Sequence, residues 1–158
     1  RGESAQATSR DLGRHVERVV RAMDRPILTV TDNFTAPKRV LIAFDGGSAA
    51  RHAVEMVASS PLFKGIACYL FMIVKAENRD ASKQLDAAQS KLVSAGMESH
   101  AFLIAGDPET AIARAIQEQN IDMLIMGAYT HSPIKSLFTG SRTTELLRSA
   151  RVPTMLLR

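Results

Sequence analysis

Ile66-Ala-Cys-Tyr-Leu-Phe-Met-Ile-Val74 is an apolar run of nine residues. A strand with one wet face alternates apolar and polar residues, whereas a near-continuous run is what a strand buried on both faces requires, as in a parallel sheet covered by helices. The run is the longest of its kind in the chain and about half of the roughly 18–20 residues that a helix needs to cross a bilayer. It therefore reads as a strand, and no membrane span is expected. Upstream, Arg39-Val-Leu-Ile-Ala-Phe-Asp45 is a second strand candidate, followed by Ala50, Ala53, Val54 and Val57 at the i, i+3, i+4, i+7 spacing of a helical face. Downstream, Ala81, Leu85, Ala88 and Leu92 form another helical face, ended by Gly96, a natural left-handed C-terminal residue. His100 to Ile104 makes a third strand. Asp107-Pro108 reads as an N-cap with proline at the first helical position, opening a helix that carries Ile112, Ala115 and Ile116. Ile121 to Met126 is a fourth strand. Ser141 then caps a helix with Leu146, Leu147 and Ala150 inward, and Val152 to Leu157 is the last strand.

Five strands alternating with four helices predict a doubly wound α/β domain with a five-stranded, mostly parallel sheet over residues 37–158. Right-handed crossovers would bring the loops after Asp45, Val74, Ile104 and Gly127 to one edge, where ligands bind in such sheets.

The first residues do not extend this alternation; they copy part of it. Gly13-Arg-His-Val-Glu-Arg-Val-Val-Arg-Ala-Met-Asp-Arg-Pro-Ile-Leu-Thr-Val30 aligns without a gap on Gly140-Ser-Arg-Thr-Thr-Glu-Leu-Leu-Arg-Ser-Ala-Arg-Val-Pro-Thr-Met-Leu-Leu157, an offset of 127. Gly13/Gly140, Arg21/Arg148 and Pro26/Pro153 are identical. Residues 1–36 thus read as the closing helix and strand of a preceding, similar domain plus a linker. Val16, Val19, Val20 and Met23 give that helix its own apolar stripe, and an uncovered stripe predicts association.

The net charge of +4 would invite a nucleic-acid reading, but it is unevenly placed. Residues 1–40 carry eight Lys/Arg against five Asp/Glu, and the remainder carries twelve against eleven. With two Tyr, six Phe and no Trp there is no basic, aromatic surface for stacking bases, so nucleic-acid binding is not expected. A single cysteine, Cys68, forms no internal disulfide and fits a reducing compartment; a cytoplasmic location is expected. The chain starts without methionine or a signal-like apolar core, as if its numbering began inside something longer or after processing.

Gly127-Ala-Tyr-Thr130-His-Ser-Pro-Ile-Lys-Ser-Leu-Phe-Thr-Gly140-Ser141 lies between the fourth strand and the last helix. Two glycines, a hydroxyl and a helix N-terminus make an anion site, with Lys135 and Arg142 adding charge. The same residues also suit an ordinary loop with a glycine turn and a serine cap. Asp45 at a strand end is equally ambiguous: it either accepts hydrogen bonds from a base or ribose or caps the helix near Ser48. Gly46-Gly47 matches neither a dinucleotide fingerprint nor a Walker loop. Hydrolase motifs are absent, Ser132-Pro-Ile-Lys135 is a chance Ser-x-x-Lys, and His15, His52, His100 and His131 lack ligand spacing, so neither catalytic residues nor a metal site are expected. Cys68 reads as inert packing, and the Asn33-Phe-Thr35 sequon has no use in a cytoplasmic chain.

Taken together, these residues resemble the universal stress protein family. The family's nucleotide signature is Gly, two residues, Gly, nine residues, Gly, then Ser or Thr; Gly127, Thr130, Gly140 and Ser141 reproduce the spacing, with Thr130 in place of the second glycine. Asp45, Gly106-Asp107-Pro108-Glu109, Asp122 to Gly127 and Arg151 to Leu156 also resemble family landmarks. The likeness covers about residues 38–158, and the repeat makes the whole similar to tandem-domain members. It implies a Rossmann-like fold of the adenine-nucleotide α-hydrolase-like type. It implies ATP or another adenine nucleotide as ligand, Mg²⁺ only with the nucleotide, and a homodimer through last-strand pairing. Asp45 would contact adenine, the strand end near Ile73 would offer backbone to the base, and Gly127, Thr130, Gly140, Ser141, Arg142 and Thr143 would hold ribose and phosphates. The function implied is a stress-responsive regulatory module without efficient catalysis. Alternatives are a degenerate dimerisation scaffold and a slow ATPase or autophosphorylating protein. Ile27 to Thr31 would pair with Val152 to Leu157, within one chain or between two.

Overall fold

A computed structural model describes residues 22–23, 25–30, 34–75, 79–127 and 152–157. Its elements in chain order are β1 (Ile27–Thr29), β2 (Arg39–Ala43), α1 (Ser48–Ser59), a 3-10 turn (Pro61–Phe63), β3 (Ala67–Val74), α2 (Arg79–Ser94), β4 (Ser99–Ala105), α3 (Pro108–Glu118), β5 (Met123–Gly127) and β6 (Thr154–Leu157). They form one six-stranded sheet in the order β1-β6-β5-β2-β3-β4. The five strands from β2 to β6 run parallel, as expected, and β1 adds antiparallel to β6. The helices expected after Gly13 and after Ser141 lie, apart from Ala22 and Met23, outside the described residues.

Both faces of β2, β3 and β5 at the centre of the sheet are buried, which is why these strands read as continuous apolar runs. Val40, Ile42, Leu70 and Ile125 pack with Ala53, Val54 and Val57 of α1 and Leu85 and Leu92 of α2. Leu41, Phe71, Leu124 and Met126 pack on the other face with Ile112, Ala115 and Ile116 of α3. The stripes predicted for α1, α2 and α3 are therefore the faces that meet the sheet. No helix among the described residues is long and apolar enough to cross a membrane.

Local chemistry sets the helix ends. Asp107 caps α3 by accepting the Thr110 N–H at 2.9 Å, with Pro108 supplying a preset φ at the first helical position. Gly96 ends α2 at φ +80°, and the Met97 N–H reaches back to the Leu92 carbonyl at 3.1 Å, the six-to-one closure of a left-handed C-terminus. Strand β2 stops at Ala43 rather than Asp45. Phe44 still donates to the Phe71 carbonyl, after which the chain turns into α1.

The β1–β6 register pairs Ile27 with Leu156, Leu28 with Met155 and Thr29 with Thr154. Leu28 and Met155 are also partners in the 127-residue repeat. The pairing is thus self-complementary about that residue pair, as two equivalent strands related by a local two-fold axis must be. Of the two pairings left open by sequence, the one observed is within the chain, reinforced by the Thr29 hydroxyl, which donates to the Thr154 carbonyl at 3.1 Å.

Candidate functional site

The winding reverses between β2 and β5: from β2 the chain moves outward through β3 to β4, and from β5 it moves the other way to β6. At such a switch point the loops leaving the strand C-termini diverge and open a crevice. Ala43 pairs with Met126 across this reversal, so Asp45 and Gly127 lie at adjacent strand ends. Ala43 also pairs with Phe71, and Ile73 pairs with Ile104, which places the end of β3 at the same edge. Three of the sequence-predicted site residues, Asp45, Ile73 and Gly127, are thereby brought together. Thr130, Gly140, Ser141, Arg142 and Thr143 lie outside the described residues.

Asp45 is half-buried, and its Oδ1 accepts the Gly47 N–H at 2.8 Å. This is an Asx turn; the carboxylate braces the approach to α1 from two residues before the N-cap, Gly47, which has no side chain of its own to cap the helix. Both glycines have a local reason. Gly46 sits at φ +73°, and a Cβ on Gly47 would crowd the Asp45 carboxylate at 3.0 Å. The Gly46-Gly47 pair is a turn device, not a phosphate loop. Asp45 Oδ2 is not used by that bond.

The loop after β4 approaches the same edge. Gly106 donates to the Val74 carbonyl at 3.0 Å and has φ +149°. From there a cleft of about 440 Å³ runs down between β4 and α3, lined by Phe71, Phe102, Ile104, Thr110, Ala111 and Arg114. Phe71 and Phe102 stack at 4.6 Å on its floor. Sequence reading missed this cleft because it depends on which helix covers which strand. Asp122, by contrast, belongs to the opposite edge: its carboxylate accepts the backbone N–H groups of Lys38 and Arg39 at 2.9–3.0 Å and starts β2.

Among the described residues no group of three His, Cys, Asp or Glu is placed to hold a metal. His100 pairs with Glu98 at 2.9 Å on the surface. Cys68 is buried in β3, and burial pushes its thiol from an ordinary 9.0 up to about 11. Since the thiolate is the nucleophile, a shift of this size lowers the reactive fraction at pH 8 by about 100-fold. Iodoacetamide at pH 8 should therefore label Cys68 only after unfolding, as read by intact mass. The raised value also means that the protonated thiol favours the folded state below pH 9, and that this contribution is lost as pH rises from 9 through 11.

The family model described as the universal stress protein family matches residues 37–158. The universal stress protein Slr1230 of Synechocystis sp. is 31% identical over 159 residues, which is 100% of this chain and 55% of that protein. The chain thus spans about half the length of the curated relative it matches. Among solved structures, a universal stress protein from Archaeoglobus fulgidus superposes with a TM-score of 0.71 at 20% identity, over 90% of this chain and 52% of that one. A universal stress protein in complex with cAMP gives 0.62 at 18% identity, covering 78% and 98% of the two chains. An Arabidopsis thaliana protein of the same family with AMP bound gives 0.56 at 15% identity, covering 77% and 91%. At these identities the structural likeness is one of fold.

Proposed function

The chain belongs to the universal stress protein family, and from that premise we propose that it is a stress-responsive regulatory module that binds an adenine nucleotide, ATP, at the C-terminal edge of its sheet without efficient turnover. The observation that carries the reading is the convergence of Asp45, Ile73 and Gly127 at the reversal point between β2 and β5. An adenine at this edge would donate its amino N–H to Asp45 Oδ2 and meet backbone at the end of β3 near Ile73. Gly127, Thr130, Gly140, Ser141, Arg142 and Thr143 would hold ribose and phosphates, with Mg²⁺ arriving on the nucleotide. The phosphate-side residues are glycine, hydroxyl and guanidinium groups, none of them a general base at neutral pH, which is the ground for expecting little turnover. Relatives of the same fold hold cAMP and AMP. A cytoplasmic setting goes with this reading.

The test is a calorimetric titration of the purified chain with ATP. Binding is expected, and Asp45→Ala should weaken it by about 10- to 100-fold, the usual worth of a hydrogen bond to a charged group. Absence of binding by wild-type protein at millimolar ATP would sink the proposal.

A second reading, a dimerisation or interaction scaffold, is favoured by β1. Met23, Leu28, Val30 and Phe34, in this short edge strand or within five residues of it in sequence, are all exposed, and exposed large apolar side chains beside an edge strand favour a contact surface. Residues 1–36 would then be the remnant of a preceding domain, an idea supported by the two-fold register of β1 on β6. Because β1 already occupies the β6 edge, a homodimer through the last strand would exchange β1 between copies in the same register. The titration separates the readings, since a pure scaffold binds no nucleotide.

A further inference from the structure

The turn that carries Asp45 is gripped from two helices. Arg51, in the first turn of α1, donates a guanidinium N–H to the Gly46 carbonyl. From α2, the Gln84 Oε1 lies where a Cβ on Gly46 would stand, so the side chain closes over the glycine. The two helices are themselves joined on the surface by Lys91 Nζ and Glu55 Oε1 at 2.5 Å, a bond that, with the ammonium charge, holds the Glu55 carboxyl below its usual range. The gripped backbone includes Gly46 at φ +73°, a conformation that the chain leaves readily unless something holds it. In this state Asp45 Oδ1 is committed to the Gly47 N–H, and among the described residues Oδ2 accepts no hydrogen bond.

That asymmetry has a recognition consequence. A carboxylate with both oxygens available accepts paired donors side by side, such as the N1–H and N2–H edge of guanine. A carboxylate with one available oxygen accepts one N–H, such as the amino group of adenine. We propose that Arg51 and Gln84 are positioning residues that lock the Asp45–Gly47 turn and thereby set selectivity for adenine over guanine at this edge. The selectivity half rests on the nucleotide reading above; the locking half does not. Neither residue touches the ligand: Arg51 acts through the Gly46 carbonyl, and Gln84 acts through packing on Gly46.

The experiment uses the full chain with Arg51→Ala, Arg51→Lys and Gln84→Ala, titrated with ATP and GTP, alongside hydrogen exchange of the Gly47 amide measured by NMR without ligand. Arg51→Ala should lose about tenfold in ATP affinity and little in GTP affinity, consistent with one charge-assisted bond lost from a supporting role. Arg51→Lys should recover part of the loss because it restores a donor but not the planar fork. Gln84→Ala should show a smaller loss of the same selectivity, about threefold. In Arg51→Ala the Gly47 amide should exchange several-fold faster while the thermal midpoint stays near that of wild type, as expected of a local opening. An unchanged ATP-to-GTP ratio together with unchanged Gly47 exchange would overturn the proposal. If the wild-type chain binds neither nucleotide, the functional reading and the selectivity half fall. Gly47 exchange then decides the locking half alone, faster exchange in Arg51→Ala upholding it and equal exchange overturning it.

Discussion

Truncating Ile125 to alanine is expected to lower the free energy of unfolding by about 2–5 kcal/mol, the range for an aliphatic side chain deleted from a core that relaxes only partly. Ile125 is fully buried at the centre of β5, in register with Ile42 on one side and Met155 on the other. It packs in the cluster that receives α1 and α2. Its loss leaves a void bounded by three strands, held in place by their ladder hydrogen bonds, and a helical layer that can close it only in part. In urea titrations the midpoint should fall while the slope stays unchanged, since the surface exposed on unfolding is nearly the same. Ile42→Ala should behave alike, and the double variant should cost less than the sum because the two side chains line one cavity. A midpoint unchanged in Ile125→Ala would mean that the centre of the sheet is not where stability resides.

Thr130→Gly is expected to tighten ATP binding by about 10- to 100-fold. The argument is one of backbone freedom: where the family signature has its second glycine, this chain has a β-branched residue. A position that needs positive φ or close backbone approach charges such a residue about 1–3 kcal/mol. Since tenfold in affinity corresponds to about 1.4 kcal/mol, restoring glycine recovers one to two decades. Parallel calorimetry on the two proteins measures it, and dissociation constants within twofold of each other would show that the loop accepts threonine without strain.

The layers of the fold were legible in sequence because each rests on local periodicity. Ala81, Leu85, Ala88 and Leu92 face the sheet for the reason that put them four or three residues apart, and Asp107-Pro108 starts α3 with the chemistry its order implies. Strand ends were less legible. Phe44 continues the apolar run of β2 in composition, but the turn into α1 needs Gly46 in a left-handed conformation, so the regular strand stops at Ala43. At the candidate site, the pattern of strand-end residues brought out Asp45 and Gly127, and Ile73 came from the family resemblance. It did not bring out Arg51 or Gln84, whose roles depend on a helix packing beside a turn. Nor did it show what Asp122 does. Its bonds to Lys38 and Arg39 join residues 84 and 83 positions apart, a distance over which no local pattern speaks.

The union of β1 with β6 bears on how the molecule is made. Thr29 and Thr154 meet across a separation of 125 residues, and contacts of such long range form late because the intervening loop must close first. During synthesis β1 emerges well before β6, which lies among the last residues of the domain. Throughout that interval Ile27 and Leu28 lack the Leu156 and Met155 they pair with here, and the five parallel strands grow from the middle outward. Completion of the β6 edge is therefore an event that follows translation of residue 157, and a growing chain is most open to wrong strand pairing, with another nascent copy above all, in the moments just before it.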